Sequence, residues 1–147
     1  MDLQNDHAIS VLVVDDEEAL RTLIRRRLER TGGYVVVAEA ATTTEAIALT
    51  EQHQPEVVLL DLLLGPDHGA DIIGELLRVA PMTLVAVLTV LSAEDQEEAV
   101  RAQGAFVFYE KDQLADLPVH LREDLGTFRR ALDGEDVVAP SAIVRRP

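Results

Sequence analysis

The segment from Pro55 to Gly69, PEVVLLDLLLGPDHG, constrains the fold more than any other part of the chain. A short apolar run begins after Pro55 and meets an acid, Asp61, before the Gly65-Pro66 pair. An apolar run of this length, bounded by turn residues, predicts a strand that is covered on both faces. Asp61 therefore lies where a buried strand leaves the core, which places its carboxylate for chemistry.

The length and composition of the chain predict one domain in the cytoplasm. A chain of 147 residues can bury roughly two-thirds of its unfolded surface in a single core. The absence of cysteine excludes disulfides, thiolate metal sites and thiol nucleophiles. The longest apolar runs have the length of strands, and no charged and then apolar leader is visible, so we expect neither a membrane span nor a secretory signal.

The charge of the chain argues against binding to nucleic acid. The net charge is -14, from 27 acids and 13 bases, whereas phosphate binding requires a clustered positive surface. Arginines do cluster in the first predicted helix at helical spacing, opposite its apolar positions. We interpret them as a solvated face, with a docking surface for an acidic partner as the alternative. They are Arg21, Arg25, Arg26, Arg27 and Arg30.

Strands and helices alternate along the chain. Five apolar segments predict strands, and each is followed by a segment with helical spacing of its apolar residues. The predicted strands are 9–14, 34–38, the run before Asp61, 83–89 and 104–109. This alternation predicts an α/β fold, a parallel sheet with helices on both faces and right-handed crossovers. The domain is expected over 9–134, with a disordered N-terminus at 1–8 and a linker-like tail at 135–147.

The helices differ in how many apolar residues they carry. In the first, Leu20, Leu23, Ile24 and Leu28 predict one buried stripe, which Gly32-Gly33 ends. The second is expected to begin at Thr42, Thr43 or Thr44 as the cap and to run to about His53. A third covers 70–80, and the last has Pro118 in its first turn and Leu121, Leu125, Phe128 and Leu132 on one side.

Two features of the later helices stand out. The fourth helix is predicted from a cap at Ser92 to Gln103, with Ala99 and Val100 as its main apolar residues, so we expect it to be weakly held. Gly126 lies inside the last helix at a cost of about 1 kcal/mol relative to alanine. Close packing is the only reason for it that the sequence offers.

Polar residues stand at the ends of the predicted strands, and the carboxyl edge of a parallel sheet is where function is expected. They are Asp15, Asp16, Asp61, Thr89 and Lys111. Carboxylates that converge on one edge would repel each other unless a hard divalent cation lay between them. Mg²⁺ fits best because it prefers oxygen ligands and binds one or two carboxylates together with a substrate phosphate.

This arrangement predicts phosphoryl transfer to a carboxylate. Asp61 is the expected nucleophile, which would become an acyl phosphate. Lys111 would give a positive charge to one phosphoryl oxygen, and the Thr89 hydroxyl would donate a hydrogen bond to another. Singly, each residue has an ordinary structural interpretation: a helix N-cap for the aspartate pair, a good strand former for Thr89 and a solvated side chain for Lys111. The combination favours the functional interpretation.

These residues and their spacing resemble the receiver domain of bacterial two-component response regulators, over about residues 9–134. The motifs are Asp15-Asp16, Asp61 with Gly69, Leu88-Thr89, Gly104-Ala105 and Lys111. The resemblance implies a (βα)5 doubly wound sheet of the flavodoxin or CheY-like type, with strand order 2-1-3-4-5. It also implies a signalling domain rather than an enzyme, capable at most of self-phosphorylation from phosphodonors and of autodephosphorylation.

The resemblance assigns a role to each site residue. Asp61 would accept the phosphoryl group from a sensor histidine kinase. Mg²⁺ would be organised by Asp15, Asp16, Asp61 and the backbone carbonyl of Leu63. The family's switch pairs Thr89 with an aromatic residue three positions before the lysine, here Phe108, which has no hydroxyl for an outward hydrogen bond. The polar fourth helix is the element expected to shift.

The segment from Leu121 to Glu135, with Asp112 after Lys111, resembles receivers of transcription factors that carry a LuxR-type helix-turn-helix. No such output domain follows here. The chain is either a receiver cut from a longer regulator, which its end at Arg145-Arg146-Pro147 favours, or a stand-alone module acting through protein contacts. Whether phosphorylation produces a homodimer is left open.

The sequence departs from the family at the site. Most receivers have proline four residues after the acceptor, but here that position is Gly65 and the proline is Pro66, so the loop path is expected to differ. Val90 replaces the usual small residue after the threonine, and its bulk is expected to narrow access to the acceptor. Leu63 and Leu91 would flank the phosphoryl group without positioning a water, which predicts slow loss of the phosphate.

Three other functions compete with this interpretation of the sequence. A haloacid-dehalogenase-like phosphatase needs a second acid two residues after its nucleophile, where this chain has Leu63. A nucleotide-binding Rossmann-type domain needs a glycine-rich first turn, and the turn here is Asp-Asp-Glu-Glu. A receiver-like module that binds partners without phosphorylation stays open, because Gly65 and Val90 could have disabled the site. The four histidines show no ligand spacing, and His68 is interpreted as a solvated loop residue.

Overall fold

The computed structural model describes residues 7–64, 66–89 and 93–135, which form one five-stranded sheet and its surrounding helices. The strands are β1 Ile9–Val14, β2 Tyr34–Ala40, β3 Val57–Leu60, β4 Leu84–Thr89 and β5 Val107–Glu110. The helices are α1 Glu18–Thr31, α2 Thr43–His53, α3 Ile73–Val79, α4 Ala93–Ala102 and α5 Leu117–Leu132. Two 3₁₀ turns, Gly69–Ile72 and Lys111–Asp116, precede α3 and α5.

The sheet has the strand order β2-β1-β3-β4-β5, and every pairing in it is parallel. This confirms the predicted order 2-1-3-4-5. β3 is central, with Val58 beside Leu12 on one side and beside Val85 on the other. The strand that the opening segment predicted is therefore fully enclosed, as its unbroken apolar run indicated.

Two apolar cores lie on the two faces of the sheet. Side chains alternate along a strand, so Val58 and Leu60 of β3 join the core under α2 and α3, whereas Val57 and Leu59 join the core under α1 and α5. All four of these side chains are almost completely inaccessible to solvent. A strand that feeds two cores cannot alternate apolar with polar residues, which is why the sequence shows a continuous run.

The outermost strand and the first helix are less buried than the sequence predicted. β2 pairs with β1 alone, and Val35 on it is exposed. Unlike β3, this strand is therefore not covered on both faces along its whole length. In α1, Ile24 and Leu28 are buried, but Leu23 is exposed and does not belong to the buried stripe. Arg21 and Arg25 of α1 pair with Glu39 of β2, so part of the arginine cluster braces this edge.

The start of α2 and the start of β5 show how local sequence sets the boundaries. The Thr42 hydroxyl accepts a hydrogen bond from the Glu45 N–H at 3.1 Å, which confirms a threonine cap for α2. The predicted fifth strand begins at Gly104, but β5 begins at Val107. Gly104 has φ of +117°, a conformation that ends a turn and is incompatible with a regular strand.

Two expectations concerned α4 and α5: that α4 has few apolar contacts, and that close packing explains Gly126 in α5. In α4, Val100 is buried and Ala99 is exposed, so the apolar contact of the described part of this helix is small. Ser92 lies outside the described residues. In α5, a Cβ at Gly126 would meet nothing within 4 Å, so close packing is not the reason for this glycine.

Part of the sequence interpretation falls outside the described residues. The residues outside the described ranges include Gly65, Val90 and Leu91, as well as 1–6 and 136–147. The expected change in the loop path at Gly65 and the expected narrowing of access by Val90 therefore stay predictions. Within the part of the chain that is described, no helix is long and apolar enough to cross a membrane.

Candidate functional site

Three aspartates meet at the carboxyl edge of the sheet. β1 ends at Val14, so Asp15 and Asp16 follow it, and Asp61 follows β3, the neighbouring strand. One carboxylate oxygen from each of the three lies within 4.8 Å of the others. The Lys111 ammonium reaches the same place from the turn after β5, with Nζ 3.1 Å from Asp15 Oδ2 and 3.2 Å from Asp61 Oδ2.

Asp15 both begins the loop after β1 and faces the site. Its side chain accepts the Glu17 N–H at 2.9 Å through Oδ1, in the loop before α1. The N-cap residue of α1 is Glu17, so the interpretation of the aspartate pair as a helix N-cap is wrong. Its other oxygen, Oδ2, accepts from Lys111. Arg21 donates to the Asp15 carbonyl at 2.6 Å, which fixes the backbone from the first turns of α1. Asp15 is 2% exposed, whereas Asp16 is on the surface.

Asp61 is held at the point where β3 leaves the sheet. Its N–H donates to the Val14 carbonyl at 2.9 Å, which continues the β1–β3 pairing by one residue. Its Oδ1 accepts the Leu63 N–H at 3.2 Å, and its Oδ2 accepts from Lys111. The residue is only 4% exposed.

The pKa of Asp61 is raised to about 6, chiefly because burial disfavours its ionised form. The Leu63 N–H acts in the opposite direction, the nearby Asp15 charge raises the pKa further, and the Lys111 ammonium lowers it. Two of the three carboxylates, Asp15 and Asp61, thus share one lysine. The cluster holds more negative charge than its own cation balances.

The pKa of Lys111 is raised above its ordinary value. Burial alone would lower it, but the hydrogen bond to Asp15 and the charges of Asp61 and Asp15 outweigh burial. Lys111 therefore remains an ammonium at neutral pH and stays directed at the two carboxylates.

Gly69 allows the loop after Asp61 to close. The Gly69 N–H donates to the Leu62 carbonyl at 2.7 Å, and a Cβ at this position would lie 2.1 Å from the Asp61 carbonyl oxygen. Between them, Leu63–Leu64 pair with Asp67–His68 in a short antiparallel hairpin. Glycine at position 69 is therefore a steric requirement of the closed loop.

Thr89 and Phe108 occupy the two strands next to the site. Thr89 is the last residue of β4 and is fully buried, beside Glu110 of β5. Phe108 is also buried and belongs to the core that contains Val87, its neighbour across the two strands. In this structure the Phe108 ring is thus an interior side chain.

Leu63 lies beside the cluster and is open to solvent. It is 44% exposed, and its backbone N–H contacts Asp61. The predicted role of its carbonyl oxygen as a metal ligand stays a prediction. His68, on the opposite strand of the hairpin, is exposed, in agreement with the expectation of a solvated histidine.

One buried polar pair was not predicted from the sequence. The Tyr109 hydroxyl donates to the Asp124 carboxylate between β5 and α5, and both residues are buried. Asp124 lies between Leu121 and Leu125, on the stripe that the apolar spacing assigned to the core. An acid at that position was the signal that could have revealed the pair.

The donor set of the cluster suits Mg²⁺. The three aspartates offer oxygen ligands alone, and they stand close enough together to share one cation. Burial and the Asp15 charge both raise the pKa of Asp61, and a divalent cation between the carboxylates would favour their ionised forms. Asp15, Asp16 and Asp61 are the residues that could hold it.

Comparison with known proteins gives concordant results. Residues 11–122 match the family described as response regulator receiver domain. The transcriptional regulatory protein PdtaR of Mycobacterium tuberculosis is 34% identical over 130 residues, which cover 85% of this chain and 62% of that protein. The chain thus spans less than two-thirds of this relative's length.

Two solved structures share the fold and some sequence. A LuxR-family two-component response regulator from Aurantimonas sp. SI85-9A1 is 26% identical with a TM-score of 0.71, over 90% of this chain and 91% of that chain. The signal receiver domain of the putative response regulator NarL from Mycobacterium tuberculosis is 25% identical with a TM-score of 0.74, over 82% and 98% of the two chains.

Proposed function

Because the chain belongs to the response regulator receiver domain family, we propose that it is phosphorylated on Asp61 by a sensor histidine kinase in the presence of Mg²⁺. Receiver domains are signalling domains of two-component systems, and their output is a change of protein contacts. The proposed domain covers 9–134, with 1–8 and 135–147 outside it. The cytoplasmic location expected from the sequence stays a prediction.

The meeting of Asp61, Asp15 and Lys111 is the observation that carries this proposal. Asp61 is central in the cluster, since it follows the middle strand and contacts Lys111 directly. Asp15 shares that lysine, and Asp16 completes the acidic group. Of the three aspartates, Asp61 is the one followed by a hairpin, and Leu63 at the start of this hairpin is exposed to solvent.

In the proposed step, a carboxylate oxygen of Asp61 attacks the phosphorus of a phosphohistidine. The new bond is O–P, the broken bond is N–P, and the departing imidazole of the kinase keeps the electron pair and takes up a proton. The product is an acyl phosphate on Asp61. The step requires the ionised carboxylate, and with a pKa of about 6 Asp61 is mostly ionised at neutral pH.

The residues around Asp61 would stabilise the added charge. Lys111 is directed at Asp61 Oδ2 before the reaction and can move to a phosphoryl oxygen when that carboxylate oxygen becomes bonded to phosphorus. Thr89, at the end of β4, would donate its hydroxyl to a second phosphoryl oxygen. Bound Mg²⁺ would screen the repulsion between the aspartates and the incoming phosphate.

The signal would leave through the face formed by α4, β5 and α5. Thr89 ends β4 immediately before the segment leading to α4, and α4 has few apolar contacts among its described residues. A shift of Thr89 towards the phosphoryl group would thus displace the least anchored helix, with Phe108 rearranging beside it. For the output, a LuxR-type DNA-binding domain attached to the longer protein is the best-supported candidate, since one similar structure belongs to that family.

The proposal is tested with a small phosphodonor such as acetyl phosphate. Wild-type chain incubated with the donor and Mg²⁺ should gain one phosphoryl group by intact mass, and Asp61→Asn should gain none. Glu56→Gln is the matched control, because Glu56 flanks the other end of β3 and its loss should leave phosphorylation intact. A wild-type chain that stays unmodified while it binds Mg²⁺ would favour the receiver-like module that works without phosphorylation.

A further inference from the structure

An apolar groove lies at the opposite end of the molecule from the aspartates. It has a volume of about 370 Å³ and is lined by the last two turns of α5, by the loop that precedes β4 and by Glu56, which pairs with Arg129 of α5. Leu125 forms its buried floor and Phe128 is half-buried beside it. Met82 and Leu132 form its sides and are 67% and 41% exposed. No described segment covers these two large apolar side chains.

The end of α5 turns the chain at the rim of this groove. Gly134 has φ of +89°, and its N–H donates to the Ala131 carbonyl at 3.0 Å while the Glu135 N–H donates to the Arg130 carbonyl at 3.1 Å. These two bonds form a Schellman motif, which closes the helix and redirects the chain away from the helix axis. Asp133, the residue before this turn, itself lines the groove.

The residues that follow Glu135 in the sequence include apolar side chains, like those of Met82, Phe128 and Leu132 in the groove. Two valines, Val137 and Val138, follow Glu135 after a single aspartate, whereas the next apolar pair, Ile143-Val144, comes after Pro140 and Ser141. Two to three extended residues span about 7–10 Å. From Glu135 this is enough for Val137 and Val138 to reach a groove that begins at Asp133.

We propose that Val137 and Val138 occupy the groove between Met82, Phe128 and Leu132. The segment is joined to the rim by only a few residues, so its effective concentration at the groove is in the millimolar range and a weak contact suffices to fill it. Bound there, the valines would cover Met82 and Leu132 and fix the direction in which the chain leaves the domain. The contact is independent of phosphorylation, because it lies at the other edge of the sheet.

Met82 provides a direct probe, because the chain has only two methionines. In a chain labelled with ¹³C-methyl methionine, the Met82 signal, identified by its loss in Met82→Leu, reports on the groove. Removal of all residues after Glu135 should move this signal, and the double variant Val137→Asp, Val138→Asp should move it to the same position. The matched control Ile143→Asp, Val144→Asp should leave it at the wild-type position.

The proposal is overturned by any of three results. An identical Met82 signal in the full and shortened chains would show that the groove is empty in both. A response to the Ile143 and Val144 changes in place of the Val137 and Val138 changes would assign the groove to a different segment. A Met82 signal that shifts with protein concentration would show that a second copy of the chain fills the groove.

Discussion

Two carboxylates flank the central strand, and their pKa values are shifted in opposite directions. Glu56 immediately precedes β3 and Asp61 immediately follows it. The pKa of Asp61 is raised to about 6, whereas the pKa of Glu56 is lowered. Burial disfavours the ionised form of both, but Asp61 is the more deeply buried of the two and has fewer donors to offset that burial.

Glu56 is surrounded by donors. Its Oε1 accepts the Ser10 N–H at 3.1 Å and a bond from His7 at 2.9 Å, and its Oε2 pairs with Arg129 of α5. Together these outweigh the effect of burial on the Glu56 pKa. Asp61 has one N–H donor and a lysine that it shares with Asp15, whose charge opposes its own.

The comparison separates a carboxylate that holds the fold together from one held for chemistry. At Glu56 the sheet, the N-terminal segment and α5 are joined through a satisfied charge. At Asp61 the fold accepts an under-compensated charge, which leaves the carboxylate reactive and able to gain from an added cation. Functional sites commonly carry such a cost in stability.

The largest effect should come from the backbone contact that closes the loop at Asp61. Gly69→Ala places a Cβ against the Asp61 carbonyl, so backbone must move. We expect a loss of about 3 kcal/mol or more in the free energy of unfolding, measured by urea denaturation. Gly74→Ala in α3 is the control, since its Cβ would meet nothing within 4 Å, and it should stabilise the chain by roughly 0.5–1 kcal/mol. Similar effects of the two changes would disprove the steric role of Gly69.

Asp61→Asn should stabilise the chain in EDTA at pH 8 by about 1–2 kcal/mol, because it removes an unfavourable charge, with allowance for partial solvent screening. The ordinary Asp pKa is 3.8 and the folded value is about 6, so the folded state binds more protons between these values. Stability of the wild type attributable to this group therefore falls as the pH rises from about 4 to 6. The advantage of Asp61→Asn should disappear below about pH 4. If Asp61→Asn were less stable than the wild type at pH 8, the charge of Asp61 would not be unfavourable to the fold, and the proposed difference from Glu56 would be wrong.

Glu56→Gln should act in the opposite direction, with a loss of about 1 kcal/mol at pH 7 by urea denaturation. The lowered pKa of Glu56 means that its contribution is present above its ordinary pKa of 4.5 and is lost as the pH falls through the folded value. The gap between wild type and variant should thus close in acid. An unchanged gap from pH 7 down to pH 3 would show that shape rather than charge at Glu56 matters.

Leu63→Asn tests the chemistry at Asp61, at the carboxyl end of β3, without changing either carboxylate. An amide at this exposed position could orient a water towards the phosphoryl group, which leucine cannot do. A hydrogen bond of about 1 kcal/mol in the transition state would shorten the lifetime of the phosphoryl group about fivefold. The lifetime is measured as the rate at which the mass of the phosphorylated chain disappears. Leu23→Asn, an exposed leucine on α1, is the matched control. A short-lived wild type with no effect of Leu63→Asn would disprove the prediction.

Much of the fold could be predicted from local sequence. The unbroken apolar run before Asp61 predicted a central strand, Thr42 predicted a cap, and Gly32-Gly33 predicted the end of α1. The errors came where position in the sheet outweighed local pattern. Val35 is as apolar as the residues of β3, yet it is exposed, whereas Val107 on the other edge strand is buried, so apolar character alone does not reveal which strand positions the helices cover.

The sequence by itself determined which polar residues follow which strands, and parallel strand order made it predictable that Asp15, Asp61 and Lys111 would share one edge. Tertiary structure alone decided how their charges balance. The pKa of Asp61 depends on burial, on one N–H and on a lysine divided between two acids. The requirement for Gly69 and the groove beside Met82 likewise arise from segments distant in sequence, because close contacts and electrostatic energies depend on distances that local patterns do not specify.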